Sequence, residues 1–246
     1  MRIPRILIVG VCLLSCSYAK AADQLNTSRP NIVYILADDL GYGDVASFND
    51  EGKIPTPNFD QLATEGMRFT DAHSGSAVCT PTRYGVLTGR YAWRTRMTSG
   101  VLWGYSLPLI ARDRLTVASL LQQQGYGTAC VGKWHLGLQW GLRDKSKPPN
   151  DSSKENWDNI DFAQPLASGP NEVGFDYFFG ISASLDMHPH VFIKNHRVTS
   201  IPTKIDPGSG GKKFWRKGPI GDGFKHIEVL DQLTEEAVGY IEQQNS

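Results

Sequence analysis

The sequence predicts an α/β fold in which a mixed, mostly parallel sheet is flanked by helices. Residues 31–37 form a continuous apolar run rich in β-branched side chains, which is typical of a strand buried on both faces. A second strand is predicted over 126–132, directly after a helix over 114–125 that ends at a glycine. Strands that alternate with helices in this way favour the α/β class.

The stretch between these two strands predicts three further elements. Residues 56–66 are expected to form a short helix, because a proline stands near its start and a glycine can end it. Residues 67–70 are expected to form a strand. A second helix is expected to begin at Cys79 and to end near Gly89. The alternation of elements therefore continues through this stretch.

The second half of the chain predicts two long loops around two regular elements. Residues 138–173 are polar and contain several prolines, so a long loop is expected there, at the rim of a functional site. An aromatic strand over 174–181 follows it. Residues 203–225 predict a flexible basic loop, which either steers anionic substrates or is simply solvated. Apolar positions over 227–241 predict an amphipathic helix with one face toward the core.

Composition restricts the class of function. The 246 residues include 25 Lys and Arg and 25 Asp and Glu, so the formal net charge is zero. A chain without net positive charge is not expected to bind nucleic acid through a broad basic field. The length suits one domain of ordinary size.

The N-terminus predicts export. A basic start, an apolar stretch over 6–14 that is too short to span a bilayer, and the small-residue motif at 19–21 are typical of a secretory signal peptide. Residues 1–21 are therefore predicted to be the signal peptide and 22–246 the mature domain, in the periplasm or secreted. A lipobox-like sequence before Cys16 leaves lipid anchoring there as an alternative. Contact with a membrane is expected only through export or this anchor.

Two cysteines, Cys79 and Cys130, remain after the predicted cleavage. A disulfide between them is possible, but two cysteines do not make a disulfide scaffold. Pro81 suits the first turn of a helix, which places Cys79 at the N-terminus, where the helix dipole favours an anion. Arg83 adds a guanidinium that matches a tetrahedral oxyanion. Either a reactive group derived from Cys79 faces a sulfate- or phosphate-like ligand, or Cys79 is a structural cysteine.

Two pairs of polar residues follow predicted strands. Asp38 and Asp39 stand at the carboxyl end of the first strand, which is the usual place for a ligand in open α/β sheets. They are either ligands of a hard divalent cation or a solvated acidic turn. Lys133 and His135 stand two residues apart after the second strand and would point to the same side, which suits anion binding and proton transfer. The alternative is a surface lysine beside a structural histidine.

A third pair, His188 and His190, suggests a metal site by its residue types alone. With no third ligand nearby in the sequence, loop histidines are favoured over a metal site.

Taken together, the motifs resemble those of the type I sulfatases, in the alkaline-phosphatase superfamily. The resemblance rests on three ordered stretches: the strand and acidic pair at 31–44, Cys-x-Pro-x-Arg followed by Leu-Thr-Gly-Arg at 79–90, and the segment 125–137. It extends weakly to 180–181 and Ser184. It implies the alkaline-phosphatase or sulfatase fold and the hydrolysis of sulfate monoesters.

The resemblance also implies cofactors and partners. A maturation enzyme would oxidise Cys79 to formylglycine (3-oxoalanine) during export, and a hydroxyl of the hydrated aldehyde would attack the sulfur of a sulfated small molecule or glycan. Asp38, Asp39 and the group derived from Cys79 would bind a calcium ion, Ca²⁺, acting as a Lewis acid. No nucleic-acid partner is implied.

The resemblance also implies specific roles for four further residues. Arg83 would stabilise the hydrate, Lys133 would hold the sulfate oxygens, and His135 would hydrogen-bond a formylglycine hydroxyl. Ser184 is a weaker match to a position that contacts substrate. Family members are longer, and their later segments supply a further histidine, an Asp-Asn pair and a second lysine.

This difference in length predicts that the chain is the N-terminal part of a sulfatase, truncated at the C-terminus, with an incomplete calcium site. Two other functions stay open. One is a formylglycine-dependent hydrolase of phosphonate or phosphate monoesters. The other is an inactive truncated chain that at most binds anionic glycans.

Overall fold

A computed structural model describes residues 29–149 and 156–244. The chain divides into two compact units, one that ends at Met67 and one that begins at Arg68. The predicted signal peptide and Cys16 lie outside the described residues, and the predicted domain 22–246 stays a prediction. In the described parts of the chain, no helix is long and apolar enough to cross a membrane.

The first unit does not contain the predicted strand over 31–37. This stretch has no regular secondary structure and pairs with no strand among the described residues, and Ile35 is 74% exposed. A strand needs a neighbour to accept its backbone hydrogen bonds, so an apolar run alone does not make one. The predicted helix is present as α1, Pro57–Glu65, with Gly66 at its C-terminal cap.

The second unit contains three α-helices where the sequence predicts them. Helix α2 spans Cys79–Thr88 and ends at Gly89, whose φ of 65° is the left-handed conformation that glycine adopts at no steric cost. Helix α3 spans Val117–Gln123, and α4 spans Val229–Gln244. The strand predicted over 67–70 is absent, and Phe69 there is 66% exposed.

The main sheet of the second unit is mixed, as predicted. It contains β1 (Ala129–Lys133), β2 (Tyr177–Ile181), β3 (Ile193–Lys194) and β4 (Arg197–Val198), in that order across the sheet. Strands β1 and β2 are parallel, with Lys133 opposite Ile181, whereas the other two pairings are antiparallel. The carboxyl ends of β1 and β2 therefore meet at one edge of the sheet.

The segment over 138–173 is not the polar rim that its composition predicts. Its apolar side chains enter the main core. The buried members are Leu138, Trp140, Ile160, Phe162, Leu166 and Val173. They pack with Trp134, which directly follows β1, and with Phe178 of β2. Widely spaced apolar residues in a polar stretch thus supply much of the core that holds the sheet edge in place.

The predicted basic loop over 203–225 is partly regular. It contains the antiparallel hairpin of β5 (Lys204–Asp206) and β6 (Gly218–Ile220). Helix α4 follows and buries Val229 against a smaller core cluster that includes Phe179 and Phe192. Its amphipathic pattern is only partly used, since Leu230 is 73% exposed.

Candidate functional site

The N-terminus of α2 is fastened to the end of β1 by two hydrogen bonds. The Thr80 hydroxyl, which is fully buried, donates to the carbonyl of His135 at 3.0 Å. The Arg83 guanidinium donates to the carbonyl of Lys133 at 2.6 Å. The half-buried Cys79, at the first position of α2, is therefore carried on the same framework as Lys133.

A third segment completes this framework. The amide of Leu102 donates to the Thr80 hydroxyl at 3.2 Å, and the carbonyl of Leu102 accepts from His135 Nε2 at 2.7 Å. Because a carbonyl only accepts, the neutral His135 ring carries its proton on Nε2, and Nδ1 is its acceptor nitrogen. The sequence does not predict Leu102 or Thr80 as parts of the site, and only the position of Thr80 inside the cysteine motif points to it.

The parallel pairing of β1 and β2 brings Lys133 to Ser184. Beyond the last paired residues, Trp134 and His135 still donate to the carbonyls of Ile181 and Ser182, both at 3.0 Å. Lys133 Nζ then lies 3.4 Å from the Ser184 hydroxyl. Two residues predicted from separate motifs therefore meet at the carboxyl edge of the sheet.

Strand alternation does not place His135 beside Lys133. Strand β1 ends at Lys133, and His135 has a φ of 56° in the left-handed region. The imidazole is fully buried against Leu102. The backbone is therefore not extended at His135, as strand alternation would require, and the role that the resemblance implies for His135 stays a prediction.

The environment of Cys79 favours an anion. Val78, the N-terminal cap of α2, makes no side-chain cap, and the first turn contains no acidic residue. Backbone amides and the helix dipole thus present positive charge at this end, with Arg83 one turn further on. Sulfate-like groups bind well in such a setting.

The other cysteine is in a different environment. Cys130 lies on β1 and packs against the main core. Burial raises the pKa of its thiol to about 12, while the charge of Arg83 acts in the opposite direction. A thiol with this pKa stays protonated and is a poor nucleophile at neutral pH. Both cysteines are free thiols, so the possible disulfide is not formed.

The remaining predicted residues, Asp38 and Asp39, belong to the first unit. They form a turn directly after the segment over 31–37, and both are exposed. The acidic pair therefore lies where the sequence predicts a turn, at the end of a segment that is not a strand.

Comparison with known proteins identifies the lineage. The family model named Sulfatase matches residues 30–246. The chain belongs to the sulfatase family. Among curated sulfatases, it is 39% identical to N-acetylgalactosamine-6-O-sulfatase of Bacteroides thetaiotaomicron, over 96% of this chain and 50% of that protein. It is 36% identical to arylsulfatase G of Rattus norvegicus, over 97% of this chain and 43% of that protein.

Solved structures give the same result for the fold of this sulfatase chain. A Bacteroides thetaiotaomicron structure from work on the metabolism of multiple glycosaminoglycans matches with a TM-score of 0.70 and 30% identity, over 87% of this chain and 48% of the other. The PsFucS1 sulfatase from Pseudoalteromonas sp. matches with a TM-score of 0.54 and 26% identity, over 83% of this chain and 39% of the other. The predicted sulfatase-like α/β fold is confirmed, and the chain spans about half the length of these relatives.

The calcium site that the sulfatase family implies is not assembled by the described residues. Asp38 and Asp39 provide hard carboxylate oxygens, which suit calcium in type. Calcium takes about six to eight oxygen ligands, however. In residues 29–149 and 156–244, no three His, Cys, Asp or Glu side chains form a group that could hold a metal ion. The described residues therefore do not complete a calcium site.

Downstream of β2, His188, His190 and His226 form a cluster in this sulfatase chain, with His190 buried and His226 half-buried. His190 Nε2 donates to the carbonyl of Arg216 at 2.8 Å, so His190 Nδ1 accepts from His226 Nε2 at 3.1 Å. The His226 ring stacks on Trp215, with ring centroids 4.1 Å apart. His188, also buried, packs against Trp157 instead. The His190–His226 contact holds the start of the last helical segment against β6.

This cluster predicts loss of stability in acid. Burial, and then the nearby His190, lower the pKa of His226 to about 4, whereas the charge of Asp206 acts in the opposite direction. An unfolded histidine has a pKa of about 6.5. Between these two values the unfolded chain binds a proton that the folded chain does not, so the stability that the neutral ring contributes falls as the pH falls from 6.5 to 4. The pKa of His190 is lowered in the same direction, mainly by burial.

Thermal unfolding at pH 7.5 and pH 5 measures the effect. The loss in Tm on acidification should be smaller by about 2–4 °C in His226→Gln than in the wild type. His73→Gln is the matched control, because His73 is exposed and pairs only locally with Asp71. An equal loss in Tm in His226→Gln and the wild type would show that His226 does not cause the loss of stability in acid.

Proposed function

We propose that this chain carries the catalytic part of a sulfuric ester hydrolase in which Cys79 is converted to formylglycine. The observation that supports it best is the hydrogen bond from Arg83 to the carbonyl of Lys133, because it joins two motifs of the family at one place. In this proposal the N-terminus of α2, Arg83 and Lys133 together surround the anion. This arrangement suits a tetrahedral anion attached to an alcohol.

Each cation has a distinct task in this proposal. Lys133 binds the sulfate oxygens, with the Ser184 hydroxyl 3.4 Å from its ammonium group. Arg83 orients the residue-133 backbone and adds positive charge beside the first turn of α2. Both cations stabilise the negative charge on the ester oxygens as the S–O bond breaks.

His135 has a positioning role in this proposal. Its Nε2–H is engaged with the carbonyl of Leu102, so the neutral ring offers Nδ1 as an acceptor. A hydroxyl of the modified residue 79 would donate to this nitrogen, and the Thr80 hydroxyl holds the His135 backbone close to α2. His135 thereby fixes the orientation of the nucleophile.

The proposed cofactors supply what an unmodified chain lacks. When residue 79 carries the hydrated aldehyde, it supplies the nucleophilic hydroxyl and a second hydroxyl from which sulfate can be released. A maturation enzyme acting during export is the proposed partner, which agrees with the predicted signal peptide. Asp38 and Asp39 would contribute two of the calcium ligands.

The proposed substrate class is a sulfated glycan. The Bacteroides relative is named as an N-acetylgalactosamine-6-O-sulfatase. The choice of sugar depends on residues at the rim of the site rather than on the shared motifs.

The test is the modification state and the turnover of the protein when it is co-expressed with a formylglycine-generating enzyme. Mass spectrometry of the peptide that contains residue 79 should show the aldehyde, and an aryl sulfate should be hydrolysed in the presence of calcium. An unmodified thiol after co-expression would contradict the proposal. Faster turnover of an aryl phosphonate than of the aryl sulfate would instead favour the phosphonate hydrolase.

A further inference from the structure

Arg216 joins two segments that border the candidate site. Its guanidinium lies 5.1 Å from the centre of the Trp103 ring, a cation–π distance, and it pairs with the carboxylate of Asp186. Its backbone amide also donates to the carbonyl of Asp186 at 2.9 Å. Arg216 is thus held on both sides, and its own side chain is about one-third exposed.

Both partners of this arginine are close in the chain to site residues. Trp103 follows Leu102, whose backbone contacts Thr80 and His135. Asp186 lies two residues after Ser184, and the turn between them is closed by a hydrogen bond from Met187 to the Ser184 carbonyl at 2.8 Å. The arginine therefore connects the segment that supports α2 with the segment that faces Lys133.

The stretch that leads to Arg216 is cationic and partly aromatic. Over 211–217 it contains four Lys or Arg residues and no carboxylate. Lys212 and Lys213 are exposed, and the Phe214 ring is 53% exposed, with its centre 4.9 Å from the guanidinium of Arg216. An exposed ring beside cations suits a ligand with an apolar face and negative charge, such as an acidic sugar.

We propose that the stretch 211–217, fixed in place by Arg216, binds a second anionic group of the substrate, a sulfate or a uronate carboxylate on the saccharide that carries the scissile ester. This inference rests on the proposed sulfatase function. Lys212 and Lys213 supply the charge, Phe214 supplies a face for the sugar ring, and Arg216 is the positioning residue. The stretch 211–217 thereby selects polyanionic glycans over saccharides with one sulfate.

The double variant Lys212→Ala/Lys213→Ala tests this selection, because neither lysine belongs to the catalytic machinery. The substrates are a monosulfated disaccharide, its disulfated form, and a monosulfated form with a uronate. We expect KM to rise about threefold to tenfold for the dianionic substrates, with kcat unchanged and the monosulfated substrate unaffected. A larger effect on the disulfated or on the uronate form identifies which anion is bound.

The matched control is Lys145→Ala/Lys147→Ala, which removes the same charge from another exposed pair. This control should leave the ratio of KM for the dianionic substrates to KM for the monosulfated substrate unchanged. Equal effects of the two double variants, or no effect of either, would overturn the proposal. Arg216→Ala should also raise KM for the dianionic substrates, and Arg216→Lys should not restore it, since lysine cannot hold the planar contacts to Trp103 and Asp186.

Calorimetry separates this proposal from the sulfatase function itself. If the wild-type protein hydrolyses neither an aryl sulfate nor any of the three substrates, the sulfatase proposal fails. The wild type would then still be expected to bind the disulfated disaccharide more tightly than the monosulfated one. Loss of this difference in Lys212→Ala/Lys213→Ala, but not in the control variant, would support anion binding by the stretch 211–217. Equal binding of both disaccharides by the wild type would reject it.

Discussion

Cys79→Ala is expected to abolish hydrolysis of an aryl sulfate, with a loss of at least about 10⁴-fold in kcat. The reason is that alanine leaves residue 79 with no group that can become the aldehyde hydrate. The fold should persist, because Cys79 is only half-buried at the first position of α2 and alanine favours helix. Steady-state turnover and circular dichroism of the same preparation check both parts.

Cys130→Ala is the matched control for this experiment. Cys130 packs against the core, and burial raises its thiol pKa to about 12, so it should contribute packing and no chemistry. We expect turnover within about threefold of the wild type and a Tm lower by about 2–4 °C. Loss of turnover in a folded Cys130→Ala protein would show that its assignment as structural is wrong.

The sequence predicts elements well where the signal is local. Helix α2 was predicted from a proline near its start and from Gly89 at its end, and Gly89 does adopt the left-handed cap conformation. The same reasoning located α1 from Pro57 and Gly66. These residues act on the backbone within one turn, so no distant partner is needed to interpret them.

Prediction fails where an element depends on distant partners. The apolar run over 31–37 has strand composition, but a strand also needs a paired neighbour, and none pairs with it among the described residues. For the segment over 138–173 the error is the opposite one, because a polar loop is predicted and core residues are found. Its average composition is polar, yet Trp140 and Ile160 enter the core at positions that no short-range periodicity marks.

The same distinction applies to the candidate site. Cys79, Lys133 and Ser184 were named from motifs, and the structure brings Lys133 to Ser184 through the parallel pairing of β1 and β2. The hydrogen bond from Thr80 to His135 could not be predicted, because 55 positions separate the two residues in the chain. Motifs identify the residues that carry chemistry, whereas the contacts that hold them become visible only in the fold.

Lys133→Ala is expected to lower kcat/KM for an aryl sulfate by about 10²- to 10³-fold, the usual effect of removing one donor to a developing anion. Lys133 is half-buried, and its ammonium group lies beside the Ser184 hydroxyl at the carboxyl edge of the sheet. Its carbonyl, which accepts from Arg83, is unaffected by the substitution. The loss should therefore come from the missing charge and not from a displaced α2, and a Tm close to that of the wild type would verify this.

Lys204→Ala provides the control, because Lys204 is exposed and pairs only with Asp222 at the surface, at 3.0 Å. Its kcat/KM should stay within about twofold of the wild type, since exposed ion pairs contribute little. Ser184→Ala should fall between the two variants, because Ser184 contacts Lys133 and carries no charge. If Lys133→Ala and Lys204→Ala were equally active, sulfate would be held elsewhere, and the role proposed for Lys133 in binding sulfate would be wrong.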